Sequence, residues 1–271
     1  MAQKDKTLSV FLIILLSFAG LAVIGFFCFA IMSTRSGGFN FHIGFNGSDY
    51  VDNLVLEKEF DMNSISLVDV TQDYGDIEIV SSAIENNTKI TIKAYAKDES
   101  KVKAYNEGAT LYALSNPDNC NFLCFNQNGV KFLITIPESY TGNFNIESDY
   151  GKTRIGSFKD ASVEATSDYG DIEVADAKNL HLELDAGNAK IGGCYGRLDI
   201  KNDMGNVEID HLELSENSSI ELDMGNVTIS DVGTAHVIAN VDLGNSDIQK
   251  HNDDSTIILT IQNDMGNVTV R

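Results

Sequence analysis

The sequence predicts an all-β protein: a β-solenoid of roughly 19-residue coils behind an N-terminal β cap, preceded by one transmembrane helix. Three observations support this. A motif of Asp, any residue, Gly and usually Asn or Asp recurs at a nearly fixed interval through the C-terminal half, as in stacked repeat proteins. Apolar and polar residues alternate on both sides of each motif, which is typical of half-buried strands. A long uncharged apolar run lies near the N-terminus.

The apolar run, Leu8–Met32, contains neither a charged residue nor a proline. A helix needs about 20 such residues to cross a bilayer, whereas the apolar part of a cleaved signal peptide has about 7–15. The run therefore predicts an uncleaved helix over 8–32. Lys4, Lys6 and the terminal amine precede it, against Arg35 after it, so we expect residues 1–7 in the cytoplasm. The protein would then be a single-pass cell-membrane protein with an extracytoplasmic C-terminal domain.

Two segments separate the helix from the repeats. Residues 33–50 contain many Gly, Phe and Ser residues and are predicted to be a linker. Residues 51–137 lack the period but contain strand-like runs, such as Lys89–Lys97 and Val130–Pro137. Terminal units of repeat proteins are usually atypical because they close the core. We therefore predict a β cap over 51–137.

Residues 138–271 form the predicted repeat domain. Successive motif glycines in this range lie 17 to 22 residues apart. Glycine permits a positive φ and so suits a tight corner. The predicted corner glycines are Gly151, Gly170, Gly187, Gly205, Gly225, Gly244 and Gly266, with Gly75 as an earlier outlier.

Each repeat is predicted to be a strand, a corner, a second strand and a variable loop. Apolar residues recur two and four positions after the glycine, as at Val207 and Ile209, and seven and five positions before it, as at Leu198 and Ile200. By parity, the residue between Asp and Gly should point into the corner and stack there. Stacked coils are favoured over the alternative, a β-sandwich of successive hairpins.

The motif aspartates would form one column if the coils stack. One interpretation is turn chemistry, in which each carboxylate accepts backbone N–H bonds at its corner. The other is a series of Ca²⁺ sites, since Ca²⁺ binds several oxygen ligands. Turn chemistry is favoured, so we predict neither a metal nor a cofactor. The Ca²⁺ candidates are Asp149, Asp168, Asp185, Asp203, Asp223, Asp242 and Asp264.

Composition argues against several other functions. The net charge of -21 would repel nucleic acid. The five histidines share no repeat position and no metal-ligand spacing, and no nucleophile or phosphate-binding motif is present. We therefore predict a non-enzymatic protein. The four cysteines suggest no disulfide framework in a chain of 271 residues and are expected to be free thiols.

The corners, with Val-x-Ile or Ile-x-Val after them, and the segment Phe132–Gly151 resemble the bacterial putative-adhesin family. Members are membrane-anchored proteins that carry a domain of unknown function. The resemblance covers roughly residues 60 to 271. It implies a location in the envelope of a bacterium, most simply a Gram-positive one, and it carries over no catalytic residue.

These observations predict a membrane-anchored, adhesin-like scaffold that binds a cell-surface glycan or an envelope protein. The alternative is a regulatory or stress-sensing partner of envelope signalling proteins. Exchange of Leu8–Met32 for an unrelated transmembrane helix would abolish function only in that alternative. A glycan-active enzyme is the least favoured class, because the acidic surface would repel anionic sugars.

Overall fold

The computed structural model describes residues 53–83, 88–115, 129–250 and 252–271, all within one compact unit, Asn46–Arg271. The predicted transmembrane helix and linker, together with Cys28, Cys120 and Cys124, lie outside the described residues. In the described ranges, no helix is long and apolar enough to span a membrane.

The regular structure of these ranges is strand, apart from two single-turn 3-10 helices at Met62–Ser64 and Glu99–Lys101, which confirms the all-β prediction. The first nine strands are β1 (Leu54–Asp61), β2 (Leu67–Ser82), β3 (Lys89–Tyr95), β4 (Val102–Glu107), β5 (Thr110–Ser115), β6 (Val130–Pro137), β7 (Asn143–Tyr150), β8 (Thr153–Tyr169) and β9 (Ile172–Ala186). The next nine are β10 (Ala189–Cys194), β11 (Leu198–Met204), β12 (Val207–Leu212), β13 (Ser218–Met224), β14 (Val227–Ile229), β15 (His236–Leu243), β16 (Ser246–Ile248), β17 (Ile258–Met265) and β18 (Val268–Val270).

The two strands that flank a corner pair with neighbouring coils rather than with each other. Before the corner at Gly205, β11 lies between β9 and β13 in parallel register. After that corner, β12 lies between β10 and β14, also in parallel. A hairpin would instead pair β11 with β12 in antiparallel. The repeats are therefore stacked, solenoid-like coils, with one face formed by the strands before the corners and a second face by the strands after them.

The core lies between these two faces. Ile200 is in register with Leu182 on one side and Ile220 on the other, and all three side chains are buried. The same holds after the corner, where Ile209 lies between Ile191 and Ile229. Burial of each such side chain contributes roughly 1.5–3 kcal/mol. One coil has too few of them to fold alone, so stability comes from contact between coils.

The last two coils do not follow the chain order. Strand β13 pairs with β17, and β17 then pairs with β15. After the corner, β14 pairs with β18, and β18 with β16. The coil of Gly266 is therefore inserted between the coils of Gly225 and Gly244, and the coil of β15 and β16 forms the end of the stack.

The residue types of the two coils explain this order. Two positions after the glycine, the inserted coil has a buried Val268, whereas the end coil has an exposed Ser246. Before the corner, the inserted coil buries Leu259 and Ile261 completely, whereas Ala239 of the end coil is only partly buried. Placing the more apolar coil inside removes more apolar surface from water.

The opposite end of the stack includes the corner at Gly75. The two halves of β2 pair in parallel with β7 and β8 on one side, and with β5 and β6 on the other. Antiparallel strands extend this end, since β4 pairs with β5, β3 with β6 and β1 with β3. The corner at Gly75 lies outside the regular spacing of the sequence motif. In the structure it nevertheless belongs to a coil of the same stack, next to the coil of Gly151.

Candidate functional site

The corners lie above one another and form a continuous edge of the molecule, here called the corner ridge. In space the order of its glycines is Gly75, Gly151, Gly170, Gly187, Gly205, Gly225, Gly266 and Gly244. Three columns of side chains follow the ridge. They are the Asp column two residues before the glycine, the apolar column one residue before it and the Asx column (mostly Asp or Asn) one residue after it.

Close contact between coils fixes the glycines. A Cβ atom on Gly225 would lie 1.7 Å from the carbonyl oxygen of Gly205, and one on Gly205 equally close to that of Gly187. The φ of Gly225 is also positive, at 152°. Glycine is therefore required both for its conformation and because the neighbouring backbone occupies the space of a side chain.

The Asx column is a ladder of hydrogen bonds between coils. The side-chain oxygen of Asn206 accepts from the backbone N–H and the side-chain amide of Asn226, both at 3.0 Å. Asn226 accepts in the same way from Asn267, at 3.0 and 3.1 Å. Asp171 begins this run by accepting from Asn188, and the backbone N–H of Asn245 ends it. The turn chemistry that we expected of the Asp column is thus carried out by the column after the glycine.

The Asp column is a row of like charges. The pKa of Asp149 is raised by burial first, and then by the charges of Asp73, Asp168 and Glu147. Burial also raises the pKa of Asp73. In the described part of the chain, no group of three or more His, Cys, Asp or Glu residues is arranged to hold a metal ion. The Ca²⁺ series stays the less favoured interpretation of this column.

Most of the apolar column is exposed, contrary to the prediction that it points into the corner. Of the ten exposed large apolar residues in the described ranges, six belong to this column, which makes the ridge the main apolar surface there. The parity rule fails because the buried core ends three residues before the glycine, as at Asn202, so the strand continues past the core into solvent. In spatial order the column consists of Tyr74, Tyr150, Tyr169, Ala186, Met204, Met224, Met265 and Leu243.

The predicted stacking within the column does occur among its tyrosines. The rings of Tyr150 and Tyr169 are stacked, with centroids 5.1 Å apart and an angle of 6° between their planes. Tyr74 lies 6.3 Å from Tyr150 at a steeper angle of 46°. Tyr150 and Tyr169 are both exposed, and they lie beside Asp149 and Asp168 in the sequence.

Polar side chains support the corners from inside. Asn202 donates to the carbonyl oxygen of Gly187, and Asn263 to that of Gly225, both at 3.0 Å. Gln72 donates similarly to the carbonyl of Val130. These residues are almost fully buried. They bond carbonyl groups that the strands leave unpaired where the chain bends.

A second polar group lies where the strands after the corners end. Asp231 accepts from Lys250 at 2.6 Å and bonds to Nδ1 of His211 at 3.0 Å. The bond from Lys250, with those from Gly233 and His211, lowers the pKa of Asp231 to about 2. This ion pair ties the end coil to an inner coil across the inserted one.

Next to it, Tyr195 donates to Asp176 at 2.9 Å, and Ser157 donates to the other oxygen of that carboxylate at 2.6 Å. Lys159 lies over the Tyr195 ring, 4.7 Å from its centroid. The serine hydroxyl is therefore oriented by a carboxylate and not by a histidine. This arrangement is a structural network between coils rather than a nucleophile with its base.

The described histidines and cysteine occupy structural positions. His181 and His236 lie within ion-pair distance of Glu183 and Asp253. Cys194 is a free, buried thiol, as predicted, and burial raises its pKa to about 11. A thiol with such a pKa is protonated at neutral pH and so is a poor nucleophile.

Comparison with known proteins identifies one family. A family model described as Toastrack DUF4097 matches residues 76–271. A search of curated proteins finds no match.

Several solved structures are similar in outline. A putative adhesin from Bacteroides fragilis is 13% identical, with a TM-score of 0.46 over 82% of this chain and 98% of that one. A putative cell adhesion protein from Clostridium sporogenes is 11% identical, with a TM-score of 0.36 over 80% of this chain and 99% of that one. A putative adhesin from Parabacteroides merdae is 11% identical, with a TM-score of 0.38 over 80% and 96%. Likeness at this level assigns no ligand.

Proposed function

Since this chain belongs to the Toastrack DUF4097 family, we propose that it is a membrane-anchored, adhesin-like binding scaffold of the cell envelope without catalytic activity. The observation that carries the proposal is the corner ridge. It repeats three kinds of side chain in register from coil to coil, and coils are spaced about 4.8 Å apart. A rigid surface of this kind suits a ligand that is itself repetitive.

The chemistry of the ridge favours a glycan that is neutral or positively charged. The exposed rings of Tyr150 and Tyr169 offer aromatic surface against which the apolar side of a sugar can pack. The adjacent carboxylates of Asp149 and Asp168 are strong acceptors for hydroxyl groups. A polyanionic chain is disfavoured, because the Asp column and the net charge of -21 would repel it.

Placement in the envelope rests on the sequence. The run Leu8–Met32 is long enough to span a bilayer, and the charges before it favour a cytoplasmic N-terminus. The domain that carries the ridge would then lie on the extracytoplasmic side of the membrane, together with surface glycans and envelope proteins.

The absence of catalysis is also part of the proposal. Polar groups that could otherwise act as a nucleophile or a base are engaged in contacts between coils, as with Ser157 and Asp176 or His211 and Asp231. Measurable cleavage of a glycan by the purified protein would contradict this part.

The test removes the aromatic surface of the ridge. The double variant Tyr150→Ala/Tyr169→Ala of the full chain in detergent should bind bacterial cell-wall polysaccharide about tenfold more weakly, the effect of roughly 1.4 kcal/mol. The matched control is Tyr105→Ala/Tyr112→Ala. It removes another stacked pair, with centroids 5.1 Å apart, from the cap strands β4 and β5.

Binding would be measured by co-sedimentation, and thermal melting would confirm that both variants fold. The proposal predicts weaker binding for the ridge variant alone. Equal losses in the two variants, or no binding by the unmodified protein to any surface polysaccharide or envelope protein, would rule it out.

A further inference from the structure

Three methionines occupy consecutive positions on the apolar column. Met204 is in register with Met224, and Met224 with Met265. This grouping depends on the inverted order of the last two coils. In chain order Leu243 would follow Met224, whereas the inserted coil brings Met265 there and moves Leu243 to the end of the column.

The thioethers are accessible. Met204, Met224 and Met265 are 47%, 44% and 50% exposed, so their side chains lie on the surface rather than in the core. Met224 and Met265 line a shallow groove together with Asp223 and Asp264. Sulfur atoms and carboxylates thus lie along the same surface.

The spacing of the coils suits a metal ion held between sulfurs. Neighbouring parallel strands lie about 4.7–4.9 Å apart. A bond from a metal ion to sulfur is about 2.3 Å, so two sulfurs on opposite sides of one ion are separated by about 4.6 Å. In-register methionines on adjacent coils can therefore bind a two-coordinate ion with little movement.

We propose that Met204, Met224 and Met265 form a binding site for a soft monovalent cation, Cu(I). Thioether ligands select Cu(I) over hard cations such as Ca²⁺ and Mg²⁺. The ligands are neutral, and the carboxylates of Asp203, Asp223 and Asp264 balance the charge of the ion. The tyrosine half of the same ridge has equivalent carboxylates but no sulfur, so it does not bind this ion.

Packing alone does not require sulfur at these positions. The same position of the column is alanine at Ala186, leucine at Leu243 and tyrosine at Tyr150. Exchange of methionine for leucine keeps a similar apolar volume that the column already contains. Such variants should fold normally and lose only the metal ligand.

The experiment uses the full chain in detergent, with its accessible thiols blocked by N-ethylmaleimide and its methionine methyl groups labelled with ¹³C; Cys194 is buried and so does not react. Ag(I) serves as a probe that needs no reductant. We expect the methyl resonances of Met204, Met224 and Met265 to shift on addition of silver nitrate. The resonance of Met62, which packs against the core of the cap, is the internal control and should not move.

Affinity would then be measured for Cu(I) under ascorbate, in competition with a Cu(I) chelator. The triple variant M204L/M224L/M265L should bind at least about tenfold more weakly. Loss of a residue that only supports a metal ligand already lowers metal affinity by about that factor, and this variant removes the ligands themselves. M224L should lose more than M204L, since it removes the middle ligand and leaves no adjacent pair. M62L should bind like the unmodified protein.

The pH distinguishes thioethers from other ligands. A thioether does not titrate, so binding should persist at pH 5, where histidine ligands are protonated. The proposal is overturned if the triple variant binds Cu(I) as tightly as the unmodified protein, or if Ca²⁺ produces the same methyl shifts. Neither result depends on whether the tyrosine surface binds a glycan.

Discussion

Each corner residue is defined by the coil beside it. The glycine faces the carbonyl oxygen of the preceding corner, and the Asx side chain accepts from the backbone of the next one. The residues of one corner therefore satisfy groups that belong to two coils. This explains why the same residue types recur although the loops between corners vary in length.

The Asx ladder gives a prediction at this scale. Asn226 bonds to the coils on both sides of it, since it accepts from Asn267 and donates to Asn206. Asn226→Ala leaves the backbone N–H of Asn267 without its acceptor. We expect a loss of about 1 kcal/mol and a melting temperature lower by roughly 2–4 °C.

Asn245→Ala is the matched control, because Asn245 stands at the end of the ladder and no further coil follows it. Its melting temperature should fall by less than half as much. Tyrosine fluorescence can follow both melts, since the chain has nine tyrosines and no tryptophan. Equal losses at the two positions would mean that the ladder does not stabilise the stack cooperatively.

At the level of the coil, sequence pattern predicts structure well wherever it is local. The alternation around Gly205 identifies β11 and β12, and the buried residues Ile200 and Ile209 lie on the predicted side. At the corner the same parity rule places Met204 wrongly, because Met204 is still in β11 but lies beyond Asn202, the last buried residue of that strand. The recurrence of Asn after the glycine was a visible signal of the ladder.

The order of the coils is not predictable in the same way. The coils of Gly225, Gly244 and Gly266 share one pattern, so any of them can pair in parallel with either of the others. The difference in apolar surface decides which coil lies inside the stack. The signal in the sequence is Ser246, which stands where the other two coils have valine. Similarly, the corner at Gly75 is separated from the period by the chain of β3 to β6, which returns to the stack through antiparallel strands.

The coil order can be tested with paired cysteines. Thr228 and Thr269 are register partners in β14 and β18, so their Cα atoms lie about 4.8 Å apart, within the range of a disulfide. Thr228 and Asp247 are separated by two strand spacings, about 9.6 Å, which is too far. We expect T228C/T269C to form the disulfide on oxidation and T228C/D247C not to form it.

Peptide mapping by mass spectrometry would identify the linked residues among the natural cysteines. The pair T269C/D247C is a positive control, because its members are also register partners. A disulfide in T228C/D247C and none in T228C/T269C would show that the coils stack in chain order. That outcome would also separate Met265 from Met224 and remove the basis of the Cu(I) site.

At the scale of the whole molecule, the main feature that affects stability is negative charge. The chain carries a net charge of -21, and the Asp column concentrates part of it on one edge. Because the folded state raises the pKa of Asp149 above its ordinary value, the native protein binds this proton more tightly than the unfolded chain does. Protonation of Asp149 therefore stabilises the native state at pH values below the pKa of this residue in the unfolded chain. This stabilisation is lost as the pH rises through its pKa in the folded protein. Once Asp149 is ionised, its burial and its repulsion by Asp73, Asp168 and Glu147 oppose folding.

Cations should relieve this repulsion, and the kind of relief separates the two interpretations of the Asp column. Raising NaCl from about 0.01 M to about 0.15 M shortens the Debye length from about 30 Å to about 8 Å and should raise the melting temperature of the full chain in detergent. If the column has no specific site, Ca²⁺ and Mg²⁺ at equal concentration should raise the melting temperature to the same extent. We expect that result, because the hydrogen bonds of the corner are made by the Asx column. A rise several degrees larger with Ca²⁺, reversed by a chelator, would instead mean that the native column binds Ca²⁺ specifically, since a ligand of the folded state alone raises its stability.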